Sequence, residues 1–368
     1  MQKCIIINDS KFIHFAYSEL RKILPDNTKL SMLEEYGIIL VSAELDKPLC
    51  EYLMENSIFI NFAMNVRMEF DVGKPADMIS HIQSLLEKGK SFKIEVKRIK
   101  SKIELSAKTL EVLMGESLEK LGYIADLKNP DVIIGIIIAG SKVYAGSIPK
   151  GSELDPFRFS NPSGQINRAE FKIAEASKFF DLSTNGGSVL DIGAAPGGWT
   201  KFMLSENYRV VAIDGAAMDY EVLKKYASII VVANKIGQSD QMSYFQIGEK
   251  LDKESLKKLA ETVRSYRLVH IMLPFNKVSE GIISALGPFS LLLIDSNTAP
   301  SESASFVKSL FPYLKCNAKI VMTVKLIDYD VKKHIDDVEN TLKGSCSVIK
   351  FKKLPHNRRE LTMFAILK

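Results

Sequence analysis

The stretch Ser188-Val-Leu-Asp-Ile-Gly-Ala-Ala-Pro-Gly-Gly-Trp199 constrains this chain more than any other. Val189 to Ile192 is apolar apart from Asp191, as in a short buried strand. Gly193 to Gly198 can only be a tight loop, and Trp199-Thr-Lys-Phe-Met-Leu204 has the apolar spacing of a helix. A glycine-rich turn from strand to helix presents bare backbone N–H groups at the carboxyl edge of a parallel sheet, where nucleotides bind. A Cβ would block close approach of a ligand to that backbone. The order Gly193-Ala-Ala-Pro-Gly-Gly198 departs from the G-x-G-x-x-G of dinucleotide sites. The next strand, Arg209-Val-Val-Ala-Ile-Asp214, ends in an acid where a ribose is bound. An acidic strand end beside a loop of this kind suits a nucleoside better than a pyrophosphate, which excludes a nicotinamide dehydrogenase.

These residues resemble motif I of the S-adenosylmethionine-dependent methyltransferases. The form Asp191-Ile-Gly-Ala-Ala-Pro-Gly-Gly-Trp199 is similar to the FtsJ-like ribose 2′-O-methyltransferases. The resemblance implies an α/β fold, a Rossmann-like doubly wound sheet of the class I methyltransferases. It also implies S-adenosylmethionine as cofactor, with Asp191, Gly193, Ala194, Pro196, Gly197, Gly198, Trp199, Asp214 and Asp295 around it. Many methyltransferases carry an acid beside the adenine just after the third strand. Here Leu268 to Phe275 is followed by Asn276, which takes that place.

At 368 residues the chain is expected to hold two or three domains. A net charge of +5 permits a nucleic-acid partner without demanding one. The cysteines Cys4, Cys50, Cys316 and Cys346 form no C-x-x-C pair. That argues against a zinc site and a disulfide framework, and for a reduced cytoplasm. The apolar runs Cys4 to Ile7 and Val132 to Gly140 are too short for a signal peptide and a bilayer span, respectively. The expectation is a cytoplasmic monomer with no metal and no membrane partner.

Residues 1 to 50 read as a small α+β, ferredoxin-like unit. It has strands at Cys4 to Asn8 and Tyr36 to Ser42 around a helix at Phe12 to Leu24. In residues 51 to 150, Ile58 to Phe62 reads as a strand and Met78 to Leu86 as one face of a helix. Ser91 to Arg98 alternates strictly, so Phe92, Ile94 and Val96 face a core while Lys93, Glu95 and Lys97 face out. A helix from Thr109 to Leu121 is expected to turn Leu110, Leu113, Leu118 and Leu121 inward, with Gly122 closing it. After the turn Asn129-Pro-Asp131 come a doubly buried strand, Val132 to Ala139, and another at Lys142 to Ser147. This order resembles a THUMP domain, a module joined to RNA-modifying enzymes. Lys88, Lys90, Lys93, Lys97, Arg98, Lys100 and Lys102 are dense enough to hold RNA phosphates.

Residues 151 to 165 read as a linker, and 166 to 368 as the methyltransferase domain. Gly215 to Arg267 is longer than the simple fold needs and reads as an insertion. Strands follow at Ser290 to Asp295 and Lys319 to Lys325, then a closing hairpin of Cys346 to Lys353 and Leu361 to Leu367. Asp295 and Lys325 end parallel strands at the cofactor edge, and an antiparallel last strand brings Glu360 to the same edge. With Lys172 on the helix entering the domain, the order Lys, Asp, Lys, Glu resembles the FtsJ-like catalytic tetrad. The neighbours agree: Arg168-Ala-x-x-Lys172, Asp295-x-x-x-x-Pro300 and Arg359-Glu-Leu-Thr362. A ribose hydroxyl needs a base beside it, and a lysine serves only if burial or a like charge lowers its pKa; Lys172 is expected to do that to Lys325. Lys352, Arg358 and Arg359 lie near this edge and join Lys93, Lys97, Arg98 and Lys100 as expected RNA contacts.

The whole chain is similar to bacterial methyltransferases of large-subunit ribosomal RNA, so the implied partner is structured RNA, ribosomal or transfer. Two rivals stand. A base N-methyltransferase carries an Asn/Asp-Pro-Pro-aromatic clamp, where this chain has Asp295-Ser-Asn-Thr-Ala-Pro300. A non-catalytic RNA-binding or assembly protein has no need of the tetrad.

Overall fold

The computed structural model describes all residues except 9–10, 74, 150–164, 183–185, 235–242, 248–251 and 328–329. The expected linker at 151–165 lies almost wholly outside them. The chain divides into two compact units, Met1–Arg158 and Phe159–Lys368.

The first unit is built on one eight-stranded sheet. Its strands are β1 (Gln2–Ile7), β2 (Lys29–Leu33), β3 (Ile38–Ala43), β4 (Ala63–Asp71), β5 (Ser91–Ile99), β6 (Ile124–Ala125), β7 (Val132–Ala139) and β8 (Lys142–Ile148). The order is β2-β3-β1-β4-β8-β7-β5-β6. The expected boundary at residue 50 is not observed, because β1 pairs with both β3 and β4, and β4 continues to β8. Residues 58 to 62 are not a strand; the strand starts at Ala63.

Phe92, Ile94 and Val96 face a core shared with Met78, Ile82, Leu110, Met114 and Leu118. Leu113 in the helix Ala107–Lys120 and Leu121 just after it are exposed rather than inward. Glu111 takes the inward place because its carboxylate caps the free backbone N–H of Val96 at 2.9 Å. Glu95, read as outward, is also buried, and its carboxylate meets Lys93 at 2.7 Å. Cys4 on β1 and Cys50 on the helix Leu49–Asn56 are joined by a disulfide with Cα atoms 6.2 Å apart. That departs from the reading of the four cysteines as arguing against a disulfide framework; Cys316 and Cys346 are free.

The second unit is a nine-stranded sheet of β9 (Ser188–Ile192), β10 (Arg209–Ile213), β11 (Ile229–Ala233), β12 (Ser243–Gln246), β13 (Leu268–Ile271), β14 (Phe289–Ile294), β15 (Leu314–Lys325), β16 (Cys346–Lys352) and β17 (Glu360–Leu367). The order is β12-β11-β13-β10-β9-β14-β15-β17-β16. Every pairing is parallel except those of β17 with β15 and β16. The central strands are mostly apolar, with Asp191 on β9 and His270 on β13 as buried exceptions, as in a sheet covered by helices on both faces. This is the doubly wound α/β sheet expected. Residues read as an insertion extend it: β11 and β12 add two parallel strands beyond β13 and are followed by the helix Lys253–Val263.

Candidate active site

The strand order alternates from β9 outward in both directions, so the carboxyl ends of β9, β10 and β14 open onto one crevice. Gly193 leaves β9 with φ +76°, and a Cβ on it would lie 3.0 Å from the Asp295 carbonyl oxygen. Gly197 has φ +114°, and a Cβ there would press on Leu223 at 3.0 Å and Met218 at 3.2 Å. Only glycine adopts both conformations without strain.

The loop residues divide by exposure. Gly193 and Pro196 face solvent, while Ala194, Gly197, Gly198 and Trp199 are buried. Trp199 donates its indole N–H to the Ala169 carbonyl at 2.9 Å, on the helix Ala169–Phe180 that carries Lys172. Lys201 meets Glu170 on that helix at 2.6 Å. The helix after the loop therefore grips the helix that presents Lys172.

Asp191 is buried and accepts the Thr200 hydroxyl at 2.6 Å. Burial pushes its carboxyl up to about 7, against the pull of that hydrogen bond. Asp214 follows β10. Its two carboxylate oxygens accept the backbone N–H groups of Ala195 at 3.1 Å and Ala216 at 2.8 Å. Each oxygen keeps a further lone pair, which fits a pair of ribose hydroxyls. Asn276 is exposed in the short turn Phe275–Lys277.

Beside this loop stands a ring of alternating charge. Lys172 lies 2.5 Å from Glu360 and 3.5 Å from Asp295. Lys325 lies 2.5 Å from Glu360 and 3.6 Å from Asp295. Each lysine thus touches both carboxylates. Three devices place the ring. Lys325 and Glu360 are directly opposed across the antiparallel pair β15–β17. Asp295 follows β14 and accepts the Thr323 hydroxyl at 2.9 Å. Lys172 comes from the gripped helix.

Burial pulls the Lys325 ammonium down, but the carboxylates of Glu360 and Asp295 outweigh it and raise its pKa above the ordinary lysine value. This reverses the expectation that Lys172 lowers it. Burial likewise pushes Glu360 up, and the two lysines more than reverse that, holding it below the usual carboxylate range.

Of the basic residues, Lys93 is paired to Glu95, and Arg98 donates to the Ile103 carbonyl. Lys97 is half-buried; Lys100, Arg358 and Arg359 are exposed. Lys352 is 1% exposed, with its ammonium 4.6 Å from the Phe179 ring centre. It packs inside the unit, so it is withdrawn as an RNA contact. Sequence reasoning missed Thr323, Thr200 and the pair His356–Glu175, whose ring nitrogen and carboxylate meet at 2.5 Å. A polar residue within an apolar run was the available signal for Thr323. Among the described residues no cluster of His, Cys, Asp and Glu is gathered for a metal, and no helix is long and apolar enough to cross a membrane.

A family model described as FtsJ-like methyltransferase matches residues 165–295, and one described as THUMP domain matches residues 81–146. Lys172 and Asp295 fall within the first match; Lys325 and Glu360 lie beyond it and join it through the sheet. The chain is similar to ribosomal RNA large subunit methyltransferase M of Escherichia coli O1:K1, with 27% identity over 157 residues, 38% of this chain and 43% of the relative. The match thus spans less than half the length of that relative. Ribosomal RNA large subunit methyltransferase E of Acidithiobacillus ferrooxidans is 41% identical over 69 residues, 18% of this chain and 32% of the relative. Among solved structures, TrmN from Thermus thermophilus aligns over 100% of both chains with 12% identity and a TM-score of 0.37. Residues 81–146 thus carry the THUMP match and residues 165–295 the FtsJ-like methyltransferase match.

Proposed function

We propose that this chain methylates a ribose 2′-hydroxyl of structured RNA, ribosomal or transfer, with S-adenosylmethionine as donor. The observation that carries this reading is the Lys172–Asp295–Lys325–Glu360 ring beside the glycine loop.

Bound at the loop, S-adenosylmethionine supplies an electrophilic methyl group on a sulfonium. Gly193 and Pro196 line its approach, Asp214 holds the ribose hydroxyls, and Asp191 and Thr200 brace the loop from behind. Asn276, exposed at the end of the turn after β13, is free to reach the adenine. Lys325 is assigned to the acceptor hydroxyl, and would take its proton as the hydroxyl oxygen gains the methyl group and the donor's S–C bond breaks to leave a neutral thioether. Its raised pKa means that it must first give up a proton, and its partly exposed side chain lets that proton pass to solvent while Glu360 stays ionised against Lys172. Lys172 and Asp295 orient the pair and hold the ring's charge in balance, so that a neutral Lys325 leaves Glu360 still partnered.

The similar proteins from Escherichia coli and Acidithiobacillus ferrooxidans are ribosomal RNA methyltransferases, so large-subunit ribosomal RNA is the first pool to try. The THUMP domain is assigned to docking that RNA. The test incubates the protein with labelled S-adenosylmethionine and separate pools of ribosomal and transfer RNA, then digests to nucleosides. A 2′-O-methylnucleoside is expected. Label in a base overturns the ribose assignment, and cofactor binding without transfer marks an assembly protein.

A further inference from the structure

We propose that His270 is a positioning residue for the cofactor: with Tyr220 it forms a buried relay that fixes Asp214 against the glycine loop. The inference rests on the reading of Asp214 as the cofactor's ribose ligand.

The strand β13 reads Leu268-Val-His-Ile271, and His270 is 0% exposed in the middle of a parallel sheet. Such a position takes an aliphatic residue by default. An imidazole is tolerated there only if its nitrogens are hydrogen-bonded. Both are. Nε2 lies 3.2 Å from the Asp214 carbonyl oxygen, and Nδ1 lies 2.6 Å from the Tyr220 hydroxyl. A carbonyl only accepts, so Nε2 carries the proton and Nδ1 accepts from the tyrosine O–H. Burial pulls the imidazole down to about 4 and pushes the Tyr220 phenol up to about 12, so both groups stay neutral around pH 7.

The relay runs Tyr220 O–H to His270 to Asp214 C=O, and it continues through the Asp214 carboxylate. That carboxylate accepts from Ala195 within the glycine loop and from Ala216 beyond it. The tyrosine end is tied to the same loop by another route. The backbone N–H of its neighbour Asp219 donates to the Pro196 carbonyl at 2.9 Å, and Met218 and Leu223 pack on Gly197. Three separate segments therefore meet around one histidine: the ribose acid, the loop, and the short helix Tyr220–Leu223. Neither hydrogen bond of the imidazole goes to a member of the catalytic ring. Its effect is expected in cofactor affinity and not in transfer.

The test measures S-adenosylhomocysteine affinity by calorimetry in the full chain, for wild type, Tyr220→Phe, His270→Phe and the double variant. Tyr220→Phe keeps the ring and removes one hydroxyl, so it is the variant least exposed to misfolding. Each single variant should weaken binding by roughly three- to tenfold. The double variant should be no worse than His270→Phe, because the hydroxyl has lost its partner already. At saturating donor, kcat and the KM for RNA should be unchanged. Nitrogen-15 NMR of labelled histidine should show one imidazole protonated at Nε2 alone, whose Nδ1 resonance shifts when Tyr220 is replaced by Phe while Nε2 keeps its proton. If wild type binds S-adenosylhomocysteine and both folded single variants bind equally well, the relay does not position the cofactor. If kcat falls while affinity holds, the proposal is likewise overturned. If wild type itself binds none, the methyltransferase reading falls and takes this inference with it.

Discussion

Lys325 ends β15 directly opposite Glu360, the first residue of β17, and their side chains meet at 2.5 Å. Both positions belong to the sheet rather than to a loop, so side-chain placement here inherits the rigidity of the backbone ladder. Lys325→Ala should leave the fold and cofactor affinity nearly intact and lower methyl transfer by roughly 10²–10⁴, the contribution of a positioned base. Lys325→Arg should fail almost as badly, since a guanidinium stays protonated. Single-turnover transfer at neutral pH checks both. Near wild-type turnover in Lys325→Arg sends the search for the base elsewhere.

The raised pKa of Lys325 fixes the direction of the pH dependence. The base form is the neutral amine, and below its pKa that fraction grows about tenfold for each step of one in pH. The kcat/KM for RNA should therefore climb with a slope near one from about pH 7 to about pH 9.5, with no plateau inside that window. A flat profile there means that no lysine has to lose its proton.

Asp191 gives an opposite linkage, in stability. Its folded pKa of about 7 lies above the ordinary carboxylate value because burial disfavours the charge. The stability that it contributes is complete below the unfolded pKa and is lost as pH rises to the folded one. Asp191→Asn keeps an acceptor for the Thr200 hydroxyl and removes the charge. It should melt with wild type near pH 4 and several degrees higher near pH 8, because ionising a carboxyl held above its ordinary pKa costs about 1.4 kcal/mol for every tenfold change in its acidity. Equal melting at both pH values would show Asp191 ionising without penalty.

Gly197→Val should abolish cofactor binding through the loop's own conformation. At φ +114° a branched residue is strained, and its Cβ meets Leu223, Met218 and Ile166. The damage comes from packing behind the loop, not from filling the ligand's place. Calorimetry on the folded variant should show affinity down by at least about tenfold; unchanged affinity separates the loop from cofactor binding.

Arg358 and Arg359 are exposed just before Glu360, whereas Lys352 is buried under Phe179. Replacing both arginines by Ala should lower RNA affinity about tenfold and reduce the salt slope by about 2. Lys352→Ala should lower the melting temperature and leave the salt slope alone. Filter binding between low and moderate salt distinguishes them.

What the sequence determined by itself was local. The glycine loop, the acids at the ends of β10 and β14, Lys325 at the end of β15 and the alternation of Phe92, Ile94 and Val96 are all visible in short windows. Each follows from backbone conformation or a two- or 3.6-residue period, which neighbouring residues alone impose. The tertiary structure decided what depends on partners far along the chain. It put Leu113 and Leu121 outside because Glu111 was needed inside to meet Val96, and it packed Lys352 against Phe179. It joined the first 50 residues to β4, β8, β7 and β5 in one sheet and brought Cys4 to Cys50. It also raised the Lys325 pKa, because the carboxylates of Asp295 after β14 and Glu360 on β17 arrive from far along the chain. A residue's period shows which side it faces, but its charge state and burial are set by whatever the fold places opposite it.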